Sequence, residues 1–383
     1  MKKTFILIFA SLLLFSCGKY SKTITVTNVL DFDRTAELVE VKIADLNADF
    51  TSKSYILKND KGEEVAYQIS ENGATLLFQA DVAADSFAVY TLTIGKPSEV
   101  APKTDAFFVP ERRDDFAWEN DIAAYRMYGP DLADENPSNG VDLWLKKTDK
   151  PIMRQFYDDE HLNGKPYHID HGEGLDCYKV AHTLGAGGVA PYIDGTLYVG
   201  DHYSSYNIIE KGALRSAFSL TYDSVKIGED IYNEEITITT SAGSLLNKAV
   251  VRYNGARDSI KLAVGIFLHN FQTVNGVIMG DDDKNFIAYA EDATGEMDNL
   301  PVGRNYVGVV SKEKSQILIP LDNKQLLNDS HLLRIADYKT GDEFTYYFGG
   351  GWSQWKFATD ADWQQAMENF SQTIHNPLEI TVE

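Results

Sequence analysis

The run Glu234–Ser241, EEITITTS, sets the fold class. Isoleucine and threonine dominate it, and β-branched side chains suit a pleated surface better than a helix. Apolar and polar positions alternate with the period of a half-buried strand. Segments of the same kind recur outward from it, between Ser216 and Phe357: Lys248–Tyr253, Ser259–His269, Asn285–Ala290, Tyr306–Ser311, Gln316–Pro320 and Leu332–Asp337. Gly, Asn and Asp turns such as Asn254-Gly255 separate them. This many strands over such a length predicts two large packed antiparallel sheets. Downstream the pattern changes. Asp360 is placed to cap a helix from Ala361 to about Ile374, with Trp363, Met367, Phe370 and Ile374 on one apolar stripe. Asn376-Pro377 stops it, and Leu378–Val382 reads as a last strand.

Upstream, Gly140–Lys147 (GVDLWLKK) alternates, with Val141, Leu143 and Leu145 on one face and Asp142, Trp144 and Lys146 on the other. Trp118–Tyr128 reads as a strand pair or as one strand broken at Glu119-Asn120-Asp121. Arg126 sits mid-strand there and shares a face with Tyr128. An unpaired guanidinium at such a place is expensive to bury. It is therefore either salt-bridged or a clamp for a carboxylate or oxyanion. Residues 23–96 hold a separate set of short strands, among them Thr23–Leu30, Leu38–Ile43 and Phe87–Ile94, spaced as in a small antiparallel β-sandwich. Residues 97–106, proline-bearing and aperiodic, read as a linker. The expected organisation is thus mainly β: a small N-terminal β-sandwich (23–96), then a large antiparallel two-sheet supersandwich with a C-terminal helix (107–383).

The first residues stand outside that plan. Lys2 and Lys3 precede an apolar run, Phe5–Phe15, of the length of a signal h-region and too short for a comfortable membrane span. It ends Leu14-Phe15-Ser16-Cys17-Gly18, which resembles a bacterial lipobox. Residues 1–16 are then a lipoprotein signal peptide, Cys17 the lipid anchor and 17–22 a tether. No acidic run follows Cys17, which favours the periplasmic side of an outer membrane over the cell surface.

The chain carries 57 acidic against 35 basic residues, a formal charge of −22. Such a field repels nucleic acid and other polyanions, so an anionic substrate needs a local basic pocket. Beyond Cys17 only Cys177 remains, so the anchored form has no intramolecular disulfide. Carboxylates near Cys177 oppose a reactive thiolate, so it reads as a packed small apolar residue.

The candidate site is Tyr167–Tyr192, YHIDHGEGLDCYKVAHTLGAGGVAPY, in which no regular element is legible. His168, Asp170, His171, Glu173, Asp176, Tyr178 and His182 crowd it, and five of the eight histidines (161, 168, 171, 182 and 202) lie in or near it. Several chemistries fit. His168, His171 and Asp176 are ligand types for a possible divalent metal. Without metal, His168, His171, Glu173 and Tyr178 can exchange protons while Arg126 holds the developing charge. Paired carboxylates among Glu119, Asp121, Glu173 and Asp176 would suit glycoside hydrolysis. A structural loop tying two sheets together explains the same residues without a site. Flanking contacts would come from Trp118, Glu119, Tyr128 and Lys146. Trp352 and Trp355, beside Gly349-Gly350-Gly351, are either sugar-stacking platforms or aromatic core.

ERRDDFAWENDIAAYRMYGP (111–130), DHGEGLDCYKV with LGAGG (170–188), and YYFGGGW with the terminal helix (346–374) together resemble an uncharacterised family. It is a domain-of-unknown-function family of secreted proteins from polysaccharide-degrading Bacteroidetes-type bacteria, found alongside pectin- and uronate-degrading enzymes. The resemblance covers nearly all of the chain after the leader. It implies a galactose-mutarotase-like supersandwich and a carbohydrate-active lipoprotein, a lyase or hydrolase on uronic-acid-containing oligosaccharides. A non-catalytic glycan-binding protein and a sugar mutarotase or epimerase are the alternatives. The family supplies no catalytic residues to carry over.

Overall fold

The computed structural model describes residues 20–133, 138–270, 273–281, 285–312, 316–318 and 330–383. The leader and residues 17–19 of the tether, Cys17 among them, lie outside the described residues, as do Ile319 and Pro320 of one expected strand. The fold is mainly β, as the alternating segments require.

Near the N-terminus, a five-stranded sheet runs in the order Glu379–Val382, Ser21–Asn28, Ser86–Ile94, Tyr55–Asn59 and Glu64–Val65. It faces a three-stranded sheet of Arg34–Lys42, Thr75–Val82 and Tyr67–Ile69 across a core of Ile24, Val26, Val41, Leu57 and Phe78. One member corrects the expected span of 107–383. The last strand pairs antiparallel with Ser21–Asn28, Ile24 opposite Val382, so the chain's end returns to the N-terminal sandwich.

The large body has two layers. One is an eight-stranded antiparallel sheet in the order Ser205–Lys211, Arg215–Ile227, Asp230–Ser241, Asn247–Gly255, Phe344–Trp352, Pro301–Ser311, Phe286–Thr294 and Val277–Asp281. The other layer comprises two five-stranded sheets. The first contains Asp105–Val109, Asp115–Glu119, Ala123–Met127, Asp142–Lys146 and Gly174–Asp176. The second is built on Ala186–Ile193, Ser259–Leu268 and Ser330–Lys339. A parallel bridge from Val141 to Gly185 joins the two. Apolar residues of all three sheets share one core, including Tyr125, Leu143, Ile236, Val264 and Phe348.

The glycine run 349–351 belongs to this packing. It lies in the regular, buried strand Phe344–Trp352 rather than in a bent loop. A Cβ on Gly350 would stand 2.6 Å from both Leu143 Cδ2 and the Tyr306 carbonyl oxygen. Its amide donates to the Tyr125 hydroxyl at 3.0 Å, across the two layers. Glycine is what lets the layers approach that closely.

Two helices complete the body. Asp360–His375 is capped one residue earlier than expected, by Thr359 in a capping box with Asp362. Its stripe packs on the eight-stranded sheet, with Trp363 and Met367 fully buried. The second helix, Met153–Asn163, is absent from the sequence reading. It covers the far face of the first five-stranded sheet over Trp144, Ala117 and Ala124. Both faces of that sheet are therefore buried, which explains why its polar face needs partners.

Glu119 and Lys146 are such partners, not substrate contacts. Both are completely buried, and the Lys146 Nζ donates to Glu119 at 2.7 Å and to the Asn120 carbonyl at 2.7 Å. The Glu119 carboxylate also accepts from the amides of Ile152 and Met153 at 2.9 and 2.8 Å, anchoring the start of the helix. Trp118 is equally buried, with its indole N–H on Asn247. Removing one member of a buried ion pair strands the other and costs about 3–5 kcal/mol. Glu119→Ala is expected to lower stability by that amount in denaturant unfolding, and Glu119→Met with Lys146→Met to recover most of it. A double variant no more stable than the single one would contradict the pairing.

Candidate functional site

Four adjacent strands each bring one charged group to a single point. Register sets Arg126 opposite Asp142 on one side and Ala117 on the other, and Trp144 opposite Asp176. The Arg126 guanidinium, 2% exposed, donates from Nε to Asp142 Oδ2 at 2.8 Å and from one terminal nitrogen to Asp176 Oδ2 at 2.8 Å. Its other terminal nitrogen lies 3.4 Å from Asp115 and 3.3 Å from the Tyr167 hydroxyl. The rings of Tyr128 and Trp144 pack on it at 5.0 Å each.

Three carboxylates around one guanidinium leave an excess of negative charge in a dry place. Burial, only partly offset by Arg126, pushes the Asp115 carboxyl up to about 6. Burial and the neighbouring Asp142 push Asp176 well above the ordinary carboxylate range. The cluster therefore holds protons that exposed aspartates would have lost. Arg126 is fully committed to it, so it is a structural centre and not a free clamp.

A cavity of about 380 Å³ opens beside this cluster. Arg126, Tyr128 and Asp176 form its inner wall. Arg112, His168, Tyr178, Lys179 and Glu296 converge on the remainder. Arg112 was not singled out from the sequence. Its Nε donates to the Tyr167 hydroxyl at 3.1 Å, and among the described residues no carboxylate lies within ion-pair distance of it. A tight turn sets its position. Arg113 and Asp114 both adopt left-handed backbone, φ 56° and 64°, and a Cβ on Gly129 would sit 2.0 Å from the Asp114 carbonyl oxygen. The ERRDD motif and Gly129 thus act as one local device.

His168 turns Nδ1 toward acceptors: the Asp176 carbonyl at 3.2 Å and Glu296 Oε2 at 3.2 Å, with Asp176 Oδ2 at 3.6 Å. With acceptors on that side, Nδ1 is a nitrogen that carries a ring hydrogen. The Tyr178 hydroxyl is buried and lacks a partner among the described residues. Burial and the nearby Glu291 raise its pKa well above the ordinary tyrosine value, so it keeps its proton. The pocket thus brings together Arg112, His168 and Tyr178.

The other expected residues scatter. His171 is exposed and its Nε2 meets the Pro166 carbonyl at 2.9 Å, away from His168. Glu173 is half-buried outside the pocket, and His182 is exposed. Among the described residues no three His, Cys, Asp or Glu side chains are grouped to hold a metal ion, so His168, His171 and Asp176 are not a ligand set. Trp352 is buried, its indole on the Val302 carbonyl, and is core rather than platform. Trp355 is 37% exposed but does not line the pocket. Cys177 is buried, and burial with Asp176 holds its thiol well above its usual pKa.

The central stretch is also more regular than it looked, since Gly187 and Gly188 enter the strand Ala186–Ile193. Besides Arg112, other groups escaped the sequence reading, among them His269, bonded to Glu291 at 2.8 Å, and Glu296, delivered by the turn between Phe286–Thr294 and Pro301–Ser311. His269 follows the strand Ser259–Leu268 and Glu296 sits on a turn, both distant in sequence from the rest of the pocket, where only a tertiary pairing could have flagged them.

The Asp115 proton gives a pH signature. A carboxyl whose folded pKa is raised stabilises the fold below its unfolded pKa, near 4, and that contribution is lost as pH rises through about 6. Wild type should therefore lose about 2–3 kcal/mol relative to Asp115→Asn between pH 4 and 7.5. Denaturant unfolding of both proteins across that range measures it. A difference that stays constant, or grows in favour of wild type, would contradict the shared-proton cluster.

Among known proteins, the chain is 29% identical over its whole length to the whole of "Uncharacterized protein P7" of Formosa agariphila. Two solved Enterococcus faecalis structures show weaker likeness, at 9% identity each: an alpha-mannosidase (TM-score 0.45) and a glycosyl hydrolase family 38 protein (TM-score 0.48). They match 95% of this chain, which spans 46% and 47% of theirs. Both scores are too low to argue shared fold or chemistry. The family is clearer: residues 26–380 match a domain of unknown function, DUF4861, and the chain belongs to that family.

Proposed function

We propose that this chain is a lyase acting on a uronate-bearing oligosaccharide in the pocket beside Arg126. The observation that carries the reading is Arg112, a cation without a carboxylate partner among the described residues, placed beside His168 and Tyr178 in a chain of net charge −22. An anionic sugar needs such a local cation to enter so acidic a protein.

Arg112 takes the substrate carboxylate and stabilises the charge that develops when the adjacent C5–H is removed. His168 Nε2 accepts that proton. The C5 electron pair forms the C4–C5 double bond as the C4–O bond breaks. Tyr178 protonates the departing oxygen, and solvent returns the proton from His168 to Tyr178. The geometry suits this better than hydrolysis by paired carboxylates, because Asp176 is tied to Arg126 and Glu296 to His168. A metal is not required by any step. The lipobox-like pattern ending at Cys17 supports an outer-membrane lipoprotein with this body on the periplasmic side.

Incubation with pectic and other uronate oligosaccharides, followed by absorbance of the unsaturated product, tests the assignment. His168→Gln and Tyr178→Phe are each expected to lower turnover by about 10²–10⁴-fold with folding intact. His171→Ala is expected to leave it unchanged. Full turnover in either of the first two variants would remove the acid–base assignment.

A further inference from the structure

Between the strands Gly174–Asp176 and Ala186–Ile193 the chain runs through an irregular stretch, Cys177–Ala181, that forms part of the pocket wall. Tyr178, Lys179, Val180 and Ala181 line the pocket, and Cys177 and Lys179 line a second cavity of about 220 Å³. The backbone of this wall has little to hold it. The Val180 carbonyl accepts from the Thr183 hydroxyl close by. Among the described residues, one hydrogen bond ties its backbone to a distant part of the chain: the Lys179 carbonyl accepts from His269 Nε2 at 2.6 Å. Ala181 ends the wall in left-handed backbone, φ 49°, which an alanine rarely adopts unless its surroundings impose it.

The side chain of His269 is 17% exposed, and the rings of Phe267 and Tyr178 stand edge-on to it at 4.6 and 4.7 Å. Its Nδ1 lies 2.8 and 3.1 Å from the two carboxylate oxygens of Glu291, itself buried. A carbonyl and a carboxylate both accept, so the ring needs a hydrogen on each nitrogen and is an imidazolium. Burial opposes that charge. The Glu291 hydrogen bond and charge, with the Lys179 carbonyl, outweigh it and hold the His269 pKa above its usual 6.5. The Lys179 ammonium works against them from an exposed position, 4.0 Å from Glu296. Burial keeps the neighbouring Tyr178 and Tyr289 hydroxyls and the Cys177 thiol protonated. Arg304 is taken by Asp292 and Asp360 rather than by Glu291.

We propose that His269 is a proton-operated latch on the pocket wall. Carrying its proton, it bridges Glu291 and the Lys179 carbonyl and fixes Tyr178 and Lys179 at the pocket. When the ring loses a proton, the remaining hydrogen stays on Nδ1, because a lone pair facing a carboxylate is repelled more strongly than one facing a carbonyl. Nε2 then turns a lone pair to the Lys179 carbonyl and the tie is lost. The hold on the wall is complete below pH 6.5 and disappears as pH rises through the raised value. His269 does not line the pocket, so it acts through Tyr178 as a positioning residue. The latch stands on these contacts alone, and its control of turnover rests on the reading of the pocket as a uronate site.

Cys177 lies in the wall and is buried, so its labelling by a neutral maleimide reports opening. The full chain is used, and peptide masses separate Cys177 from Cys17. Each rate is divided by that of the unfolded protein at the same pH, which removes the thiol's own ionisation. In wild type this ratio is expected to rise at least tenfold between about pH 6 and 9. His269→Gln, whose amide donates at every pH, should hold the rise below twofold. Glu291→Gln removes the carboxylate and should move the midpoint at least one pH unit lower, which decides the matter even where His269→Gln does not fold. A flat ratio in wild type, the same rise in His269→Gln or an unmoved midpoint in Glu291→Gln overturns the latch. No sugar enters the measurement, so any of these results leaves the uronate reading standing, and failure of that reading leaves the latch standing.

Discussion

The site depends on one buried guanidinium. Arg126 collects Asp115, Asp142 and Asp176 from neighbouring strands and carries the rings of Tyr128 and Trp144 on its faces. Without it, three carboxylates would face one another under a helix, at a cost no small cluster of hydrogen bonds offsets. With it, the four strands are held in register at their polar face. The edge strand Gly174–Asp176 is thereby fixed, and His168 is oriented through the Asp176 carbonyl. His168 is positioned by the same charge network that keeps the sheet together.

This arrangement separates two jobs that the sequence merges. A mid-strand arginine beside aromatics reads equally well as a salt bridge or a substrate clamp. In the fold Arg126 is the salt bridge, and Arg112, with no carboxylate at ion-pair distance among the described residues, is held at the pocket by the Arg113-Asp114 turn and by the Gly129 contact. A committed arginine gives the wall its shape, and the proposed function gives the other the role of counter-charge.

What was legible in the sequence follows from periodicity. The alternating runs became strands, and the Trp363–Ile374 stripe became a packed helix, because a period of two or of 3.6 is a local property. The faces of Gly140–Lys147 also divide as read, with Val141, Leu143 and Leu145 toward the core. The burial of the opposite face was not legible, since the covering helix Met153–Asn163 has a weak apolar pattern and Glu119 as its anchor. This is why Trp118, Glu119 and Lys146 looked like surface contacts. The histidine cluster misled for a related reason. Closeness along a loop does not bring side chains together, and of His168 and His171 only the first meets the pocket. The terminal strand was visible as a strand, but its partner, Ser21–Asn28, lies at the other end of the chain.

The proposed function turns on recognition of a sugar carboxylate by Arg112. Calorimetric titration of wild type and Arg112→Gln with a uronate-containing oligosaccharide and with its carboxyl-reduced, neutral counterpart tests it most directly. Wild type is expected to bind the acid at least tenfold more tightly, about 1.4 kcal/mol or more, and Arg112→Gln to abolish the difference. Equal affinity of wild type for both, or discrimination that survives in Arg112→Gln, would contradict it.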